Sequence, residues 1–292
     1  MDIPTYEDVL VSKRLTIDEL QTEYNKLVRY VPTTTKRSFV GNPILYHFQL
    51  DNLCRVKTKN GSFHEVMEDE TKRTYWWNKI NQYANGSRPN QPALRLFEMW
   101  RRMNGAIVFF RPTVAMNVYT YLKPTHVLDV CAGWGGRMLG AMAMNIDYTG
   151  IDTNLSLKPA YDEMMGLFKS TSKSEMIWRS ALDVEFSEID YDCVLTSPPY
   201  YNLEIYPHMT PYESKEFFYT SFLIPLIEKC RKHIRRNGAV CFNISPVMYK
   251  DLLKYGYEPC VEMMPMLQQK VQGKDKADMI YIWKTKTQSS ND

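Results

Sequence analysis

The stretch HVLDVCAGWGG, residues 126–136, decides the fold. Its first six residues suit a buried strand, and the glycines at 133, 135 and 136 then let the backbone turn sharply before the helical pattern of residues 137–144. A phosphate-binding P-loop requires Gly-Lys followed by Ser or Thr, whereas Arg137 and Met138 follow Gly136 here. A strand, a glycine-rich turn and a helix in this order therefore indicate a nucleoside-cofactor site rather than phosphate transfer.

Short β-branched runs alternate with amphipathic stretches downstream of this turn, which predicts an α/β fold with a mostly parallel seven-stranded sheet and helices on both faces. The predicted strands cover His126–Cys131, Tyr148–Ile151, Glu175–Trp178, Tyr191–Leu195, Ala239–Ile244, Tyr257–Met264 and Met279–Trp283. The predicted helices cover Arg137–Met144, Leu155–Lys169 and Tyr212–Arg236, and Pro225 kinks or divides the last one. Since the polar residues 268–278 lack a helical pattern, the last two strands are expected to pair antiparallel at the sheet edge.

The first third of the chain follows a different pattern, with predicted helices over Thr16–Tyr30 and Gln91–Met103 and a short hairpin around Asn60-Gly61. We therefore expect a mainly helical N-terminal region over residues 1–105, a catalytic domain over residues 106–285 and a polar tail over residues 286–292.

Asp152 ends the second predicted strand, where a carboxylate suits the two ribose hydroxyls of a nucleoside cofactor. A dinucleotide such as NAD would satisfy the same feature. The alternative is a tight turn followed by a solvated aspartate.

The tetrapeptide Ser197-Pro198-Pro199-Tyr200 follows the fourth predicted strand. Because two prolines can continue neither a central strand nor a helix interior, the chain leaves the sheet as a rigid loop beside the ligand crevice. The Ser197 side chain and the Pro198 carbonyl are two acceptors for the hydrogens of a base amino group, and Tyr200 offers a face for stacking a flipped base. The alternative is a turn that prolines stiffen for structural reasons.

Together these two segments resemble the DNA amino-methyltransferases, which modify adenine at N6 or cytosine at N4. Residues 129–135, DVCAGWG, resemble their cofactor motif, an acidic residue followed by Phe-x-Gly-x-Gly, with Cys131 in place of Phe. Residues 196–200, TSPPY, resemble their catalytic motif, whose first position is Asp, Asn or Ser. Residues 106–284 carry the resemblance.

The resemblance implies a Rossmann-like class I methyltransferase sheet and S-adenosylmethionine as cofactor. It implies a catalytic set of Ser197, Pro198, Pro199 and Tyr200. It implies cofactor contacts from Asp129, Cys131, Gly133, Gly135, Asp152 on the ribose, Asp183 at the adenine, and Arg111 and Pro112 at the methionine end. The expected reaction is methylation of an exocyclic amino group in DNA, with adenine or cytosine left open. RNA base methylation and a non-catalytic subunit that retains the fold are the alternatives.

The charge distribution suggests where nucleic acid binds. The net charge is only +3, but residues 1–111 hold 17 Lys and Arg against 12 Asp and Glu. Cations and aromatics interleave in this third of the chain, and such side chains can bind phosphates and stack on bases. The tryptophans are equally typical of a hydrophobic core. The residues of this predicted surface are Lys72, Arg73, Trp76, Trp77 and Lys79.

Composition limits the remaining possibilities. The six cysteines are scattered without zinc spacing, so we expect reduced thiols and no metal. Neither a signal-peptide pattern nor an apolar run of membrane length occurs, so we expect an intracellular, cytoplasmic protein without a membrane partner. A homodimer or a separate specificity subunit is compatible with these features.

Overall fold

The computed structural model describes residues 2–33, 36–57, 61–83, 91–104, 108–201, 212–266 and 279–285. Within them, seven strands form one sheet in the order β3-β2-β1-β4-β5-β7-β6. The strands are β1 (His126–Asp129), β2 (Asp147–Asp152), β3 (Ser174–Trp178), β4 (Cys193–Thr196), β5 (Ala239–Ile244), β6 (Glu262–Pro265) and β7 (Met279–Lys284).

The first five strands are parallel, and β7 runs antiparallel between β5 and the edge strand β6. Side chains alternate between the two faces, as the strand period of two requires: Val194 packs into one core and its neighbour Leu195 into the other. The predicted seven-stranded class I sheet, with helices on both faces and its last pair antiparallel, is confirmed.

Helices occupy most of the described chain between the strands and before them. They are α1 (Tyr6–Val11), α2 (Ile17–Val28), α3 (Asn42–Arg55), α4 (Phe63–Glu68), α5 (Glu70–Tyr83), α6 (Pro92–Asn104), α7 (Pro112–Leu122), α8 (Gly136–Ala143), α9 (Lys158–Leu167), α10 (Lys215–Phe217), α11 (Ile224–His233) and α12 (Pro246–Lys254).

One face of the sheet is covered by helices from the first third of the chain. α2 contacts α8, α3 contacts α9, and the apolar side chains of α2, α3 and α6 share a core with Met138 and Leu139 of α8. α11 and α12 cover the other face. The N-terminal region is mainly helical, as predicted, and its core is continuous with that of the sheet; the boundary near residue 105 stays a prediction.

Some predicted element bounds differ from the structure. The predicted strand over Tyr257–Met264 begins only at Glu262, because the Tyr257 N–H bonds back to the Leu252 carbonyl at the end of α12. Pro225 lies in the first turn of α11, directly after a π-helical stretch (Phe218–Leu223) that joins α10 to α11. Asn60 of the predicted hairpin, residues 268–278 and the tail over 286–292 lie outside the described residues.

Across the described ranges, every helix is too short or too polar to traverse a lipid bilayer.

Candidate active site

The glycine-rich turn joins β1 to α8 in a left-handed backbone conformation. Gly133 has φ of 57° and Gly135 has φ of 88°, values that favour glycine. Among the described residues, a Cβ added to Gly133 would meet the Cys131 carbonyl oxygen at 3.9 Å and Arg137 Nη2 at 4.0 Å. The described part of the chain therefore leaves space above Gly133, as a backbone that approaches a ligand requires.

Asp152 connects this turn to the end of β2. Its Oδ2 accepts a hydrogen bond from the Gly133 N–H at 2.7 Å, and its Oδ1 accepts one from the Asn154 N–H at 2.9 Å. These two backbone donors fix the orientation of the carboxylate. Asp152, the residue predicted to bind the cofactor ribose, is thus held rigidly at the edge of the turn.

Asp129 and Arg137 form a buried ion pair beneath the turn. Arg137 Nε lies 2.6 Å from Asp129 Oδ2, which also accepts the Tyr148 hydroxyl at 2.8 Å. Arg137 Nη2 donates to the Cys131 carbonyl at 2.6 Å. Burial opposes the charge on Arg137, but the Asp129 carboxylate outweighs it and raises the pKa of Arg137 above its usual value. Asp129 therefore shapes the turn, and its direct contact with a cofactor stays a prediction.

The Asp129 Oδ1 atom is buried and has no hydrogen-bond partner within the part of the chain that the structure describes. An unsatisfied buried carboxylate oxygen is costly without a donor. A donor from a bound ligand or water would satisfy this oxygen of the carboxylate that holds the turn through Arg137.

The segment that begins α7 packs directly on the turn. A Cβ on Gly136 would lie 1.8 Å from the Phe110 carbonyl oxygen, so only glycine permits this approach. Arg111 is buried, with its guanidinium 4.1 Å from the centre of the Phe39 ring. Burial, and then the nearby Arg37, lower the pKa of Arg111 to about 10. Pro112 follows in the first turn of α7. The structure thus places a buried cation, Arg111, beside the turn.

The Ser197-Pro198-Pro199-Tyr200 loop leaves β4 next to the end of β1, because these two strands are parallel neighbours. The buried Thr196 hydroxyl accepts the Cys131 N–H at 3.0 Å and links the two strand ends. Ser197 donates its hydroxyl to Asn243 Oδ1 at 3.1 Å. The fold therefore brings the glycine turn and the Ser197-Pro198-Pro199-Tyr200 loop to one edge of the sheet, as the sequence predicts.

Aromatic rings pack behind this loop. Tyr200 and Tyr201 contact the core on the α11 face, and the Tyr201 ring lies 5.9 Å from the Phe218 ring in the π-helical stretch. π-helical turns recur at functional sites, and this one supports the base of the loop.

Asp183 lies on an exposed turn after β3, where its N–H bonds to the Ser180 carbonyl at 2.9 Å. Lys229 of α11 donates to the neighbouring Leu182 carbonyl at 2.6 Å and lies over the Phe186 ring. This turn is thus fixed to α11, and a role of Asp183 at a cofactor adenine stays a prediction.

Cys131 lies at the position where the motif that this segment resembles has Phe. Burial raises the pKa of the Cys131 thiol, and the carboxylates of Asp152 and Asp129 raise it further. Since the thiolate is the reactive form of cysteine, Cys131 is unsuited to nucleophilic catalysis at neutral pH.

The predicted nucleic-acid surface lies on α5, and its residues have several intramolecular contacts. Trp77 is buried under the Arg95 guanidinium, and Arg73 donates to the Met67 carbonyl at 3.1 Å. Lys72 lies 3.3 Å from Asp69, and Lys79 lies over the Trp76 ring. Of the five, Lys72 is the one exposed residue, so the surface that remains for phosphates is smaller than the sequence suggests.

Sequence reasoning missed Asn243 and Lys229 as contributors to this region, and it assigned no role to Thr196 within the motif TSPPY. Asn243 carries a signal that was available, because it is a polar residue in the otherwise apolar run AVCFNI of β5.

Comparison with known proteins identifies weak structural likenesses. No protein-family model matches the chain, and no curated protein matches it. TrmN from Thermus thermophilus aligns with a TM-score of 0.43 and 15% identity, over 68% of this chain and 69% of that one. An rRNA methylase from Streptococcus thermophilus aligns with a TM-score of 0.40 and 11% identity, over 62% of this chain and 100% of that one. The tRNA m1G37 methyltransferase of M. jannaschii aligns with a TM-score of 0.39 and 15% identity, over 63% and 53%.

These TM-scores lie below 0.5 and the identities do not exceed 15%, so the likenesses carry no argument about activity, substrate or family.

Proposed function

We propose that this chain is an S-adenosylmethionine-dependent methyltransferase that acts on the exocyclic amino group of a nucleic-acid base. The observation that carries the proposal is the junction of the open glycine turn and the Ser197 loop at the carboxyl edge of β1 and β4. The Thr196 hydroxyl joins them through its hydrogen bond from Cys131. A cofactor on the turn and a base on the loop would therefore meet within one crevice.

The residues of the turn fit S-adenosylmethionine. The described residues leave room for the ligand above Gly133, and the Asp152 carboxylate, which is bonded to the Gly133 N–H, is the type of acceptor that ribose hydroxyls bind. The buried cation of Arg111 suits the carboxylate at the methionine end, and Asp129 Oδ1 has no donor among the residues that the structure describes. When bound, S-adenosylmethionine would supply an electrophilic methyl group, whose bond to sulfur is exchanged for a bond to the amino nitrogen; S-adenosylhomocysteine leaves, and the nitrogen loses one proton to water.

The Ser197 loop prepares the base amino group for this transfer. The lone pair of such a nitrogen is delocalised into the ring, so the nitrogen is a poor nucleophile. Ser197 Oγ and the Pro198 carbonyl oxygen would accept its two hydrogens and favour a pyramidal nitrogen whose lone pair faces the methyl group. The Tyr200 ring would stack the flipped base and hold it in line.

The polymer is DNA or RNA. The motif resemblance is to DNA enzymes, and an exocyclic amino group on an RNA base offers the same chemistry. A non-catalytic subunit that retains the fold is a further candidate. The hydrogen bond that orients the Ser197 hydroxyl towards a buried amide favours the catalytic protein, because a subunit without activity does not require an oriented hydroxyl there.

Transfer of a radiolabelled methyl group tests the proposal. Random-sequence DNA and RNA pools, single- and double-stranded, are incubated with the full chain and methyl-labelled S-adenosylmethionine. We expect label in one polymer with the wild-type protein and at least about a tenfold slower transfer with Ser197→Ala, which lacks a hydrogen bond at the reacting nitrogen. Absence of transfer from a protein that binds the cofactor supports the non-catalytic subunit, and preferential binding of NAD overturns the cofactor assignment.

A further inference from the structure

Asn243 is a buried residue whose side-chain amide is hydrogen-bonded to the Ser197 hydroxyl. It lies in β5, one strand away from the loop, and only 3% of its surface is exposed. Its Oδ1 accepts the Ser197 hydroxyl at 3.1 Å, and its Nδ2 donates to the Met279 carbonyl of β7 at 3.2 Å. The oxygen and the nitrogen of the Asn243 amide thus each have a hydrogen-bond partner, although the strand around them is apolar.

The Met279 carbonyl fixes which way the Asn243 amide points. A backbone carbonyl only accepts hydrogen bonds, so the amide NH₂ must face Met279 and the amide oxygen must face Ser197. The hydroxyl of Ser197 can then satisfy Asn243 only by donating its single hydrogen. The two lone pairs of Ser197 Oγ are left for the substrate side, with no hydrogen to offer there.

We infer that Asn243 is a positioning residue that turns Ser197 into an acceptor-only group and so selects bases with an amino group over bases with a carbonyl group. The inference rests on the proposed function of the Ser197 loop. Ser197 Oγ and the Pro198 carbonyl oxygen both present lone pairs, so an amino group finds two acceptors. The carbonyl of hypoxanthine or uracil at the same position finds two lone pairs and no donor, which leaves buried acceptors unpaired.

Without Asn243, the Ser197 hydroxyl rotates freely and can donate to a base carbonyl. It can also donate to the lone pair of the amino nitrogen, which opposes methyl transfer. Replacement of Asn243 should therefore lower kcat and relax selectivity together. Simple destabilisation of the fold would lower the active fraction and leave selectivity unchanged.

Binding selectivity gives the test. An oligonucleotide that the wild-type protein methylates is compared with the same oligonucleotide carrying hypoxanthine for adenine, or uracil for cytosine, at the methylated position. Affinities are measured with S-adenosylhomocysteine present for wild type and Asn243→Leu. The cost of flipping each base belongs to the oligonucleotide and cancels when the two proteins are compared.

We expect the wild-type preference for the amino base to fall by about 10- to 100-fold in Asn243→Leu, the equivalent of one buried unpaired group. The matched control is Asn117→Leu, which removes another buried amide, one that bonds to Thr33 at both ends. An unchanged ratio in Asn243→Leu, or an equal change in Asn117→Leu, overturns the inference.

A double-mutant cycle provides a second readout. If Asn243 acts through Ser197, the kcat of Asn243→Leu combined with Ser197→Ala should lie within about twofold of Ser197→Ala alone. Independent, multiplicative losses contradict the inference. If the wild-type protein methylates no amino base at all, the proposed function fails before either comparison is made, so the two failures are distinguishable.

Discussion

Asp152 is the residue whose replacement tests the ribose assignment directly. We expect Asp152→Asn to weaken S-adenosylmethionine binding by about 10- to 100-fold, because the side chain loses its negative charge and one acceptor oxygen, and its NH₂ group then faces one of the two backbone N–H groups, of Gly133 and Asn154, that the carboxylate accepts. Titration calorimetry measures the affinity. Asp162→Asn is the control, since Asp162 forms an exposed pair with Lys158 on α9. Unchanged affinity in Asp152→Asn would remove the ribose assignment.

Tyr200 should affect methyl transfer and not cofactor binding. Stacking of a base on an aromatic ring contributes about 1 to 3 kcal/mol, so Tyr200→Ala should reduce kcat/KM by about 5- to 150-fold. Tyr200→Phe retains the ring and should stay close to wild type. Cofactor affinity in both variants is compared by calorimetry. An equal loss of cofactor binding and transfer in Tyr200→Ala would mean that the ring supports the loop rather than the base.

At the scale of elements, the contact between α8 and the start of α7 depends on Gly136. Gly136→Ala places a methyl group 1.8 Å from the Phe110 carbonyl oxygen, so we expect the free energy of unfolding to fall by about 3 kcal/mol or more. Gly166→Ala is the matched control, because its added Cβ meets nothing within 4 Å inside α9. That variant should gain about 0.5 to 1 kcal/mol in helix stability. Urea denaturation measures both, and similar effects at the two glycines would contradict the packing described.

The central strands were predictable because residues buried on both faces read as short apolar runs. β4 and β5 follow that rule, whereas Glu262 and Met263 of the edge strand β6 are partly or fully exposed, and the prediction began that strand five residues too early. α12 was not predicted, although its N-cap Ser245 and Pro246 give a helix-start signal. The local sequence pattern therefore predicts the central strands, whereas the bounds of the edge strand depend on tertiary contacts.

At the scale of the whole molecule, the sequence predicts some of the contacts between distant residues and not others. It succeeds where two motifs follow adjacent parallel strands. The turn after β1 and the loop after β4 meet for this reason. The bond between Ser197 and Asn243 joins residues 46 positions apart. Such a bond depends on strand order and on which face Asn243 occupies, and neither motif encodes these.

The route by which nucleic acid reaches the site also belongs to the whole molecule. Each phosphate neutralised on duplex DNA contributes about 0.9 to the logarithmic salt slope, so Lys72→Ala combined with Lys79→Ala should flatten the slope by up to about 2. Lys173→Ala with Lys232→Ala is the control, since these lysines lie near the amino ends of β3 and β5, opposite the site. A wild-type slope in the first pair would show that α5 does not contact phosphates.

The position of the transferred methyl group tests the central claim most directly. DNA and RNA incubated with the protein and methyl-labelled S-adenosylmethionine are digested to nucleosides and analysed by mass spectrometry. We expect label in one product, N6-methyladenine or N4-methylcytosine, and its loss with Ser197→Ala. Label on carbon 5 of a pyrimidine, on a ring nitrogen or on the ribose would contradict a site built from acceptors for an amino group.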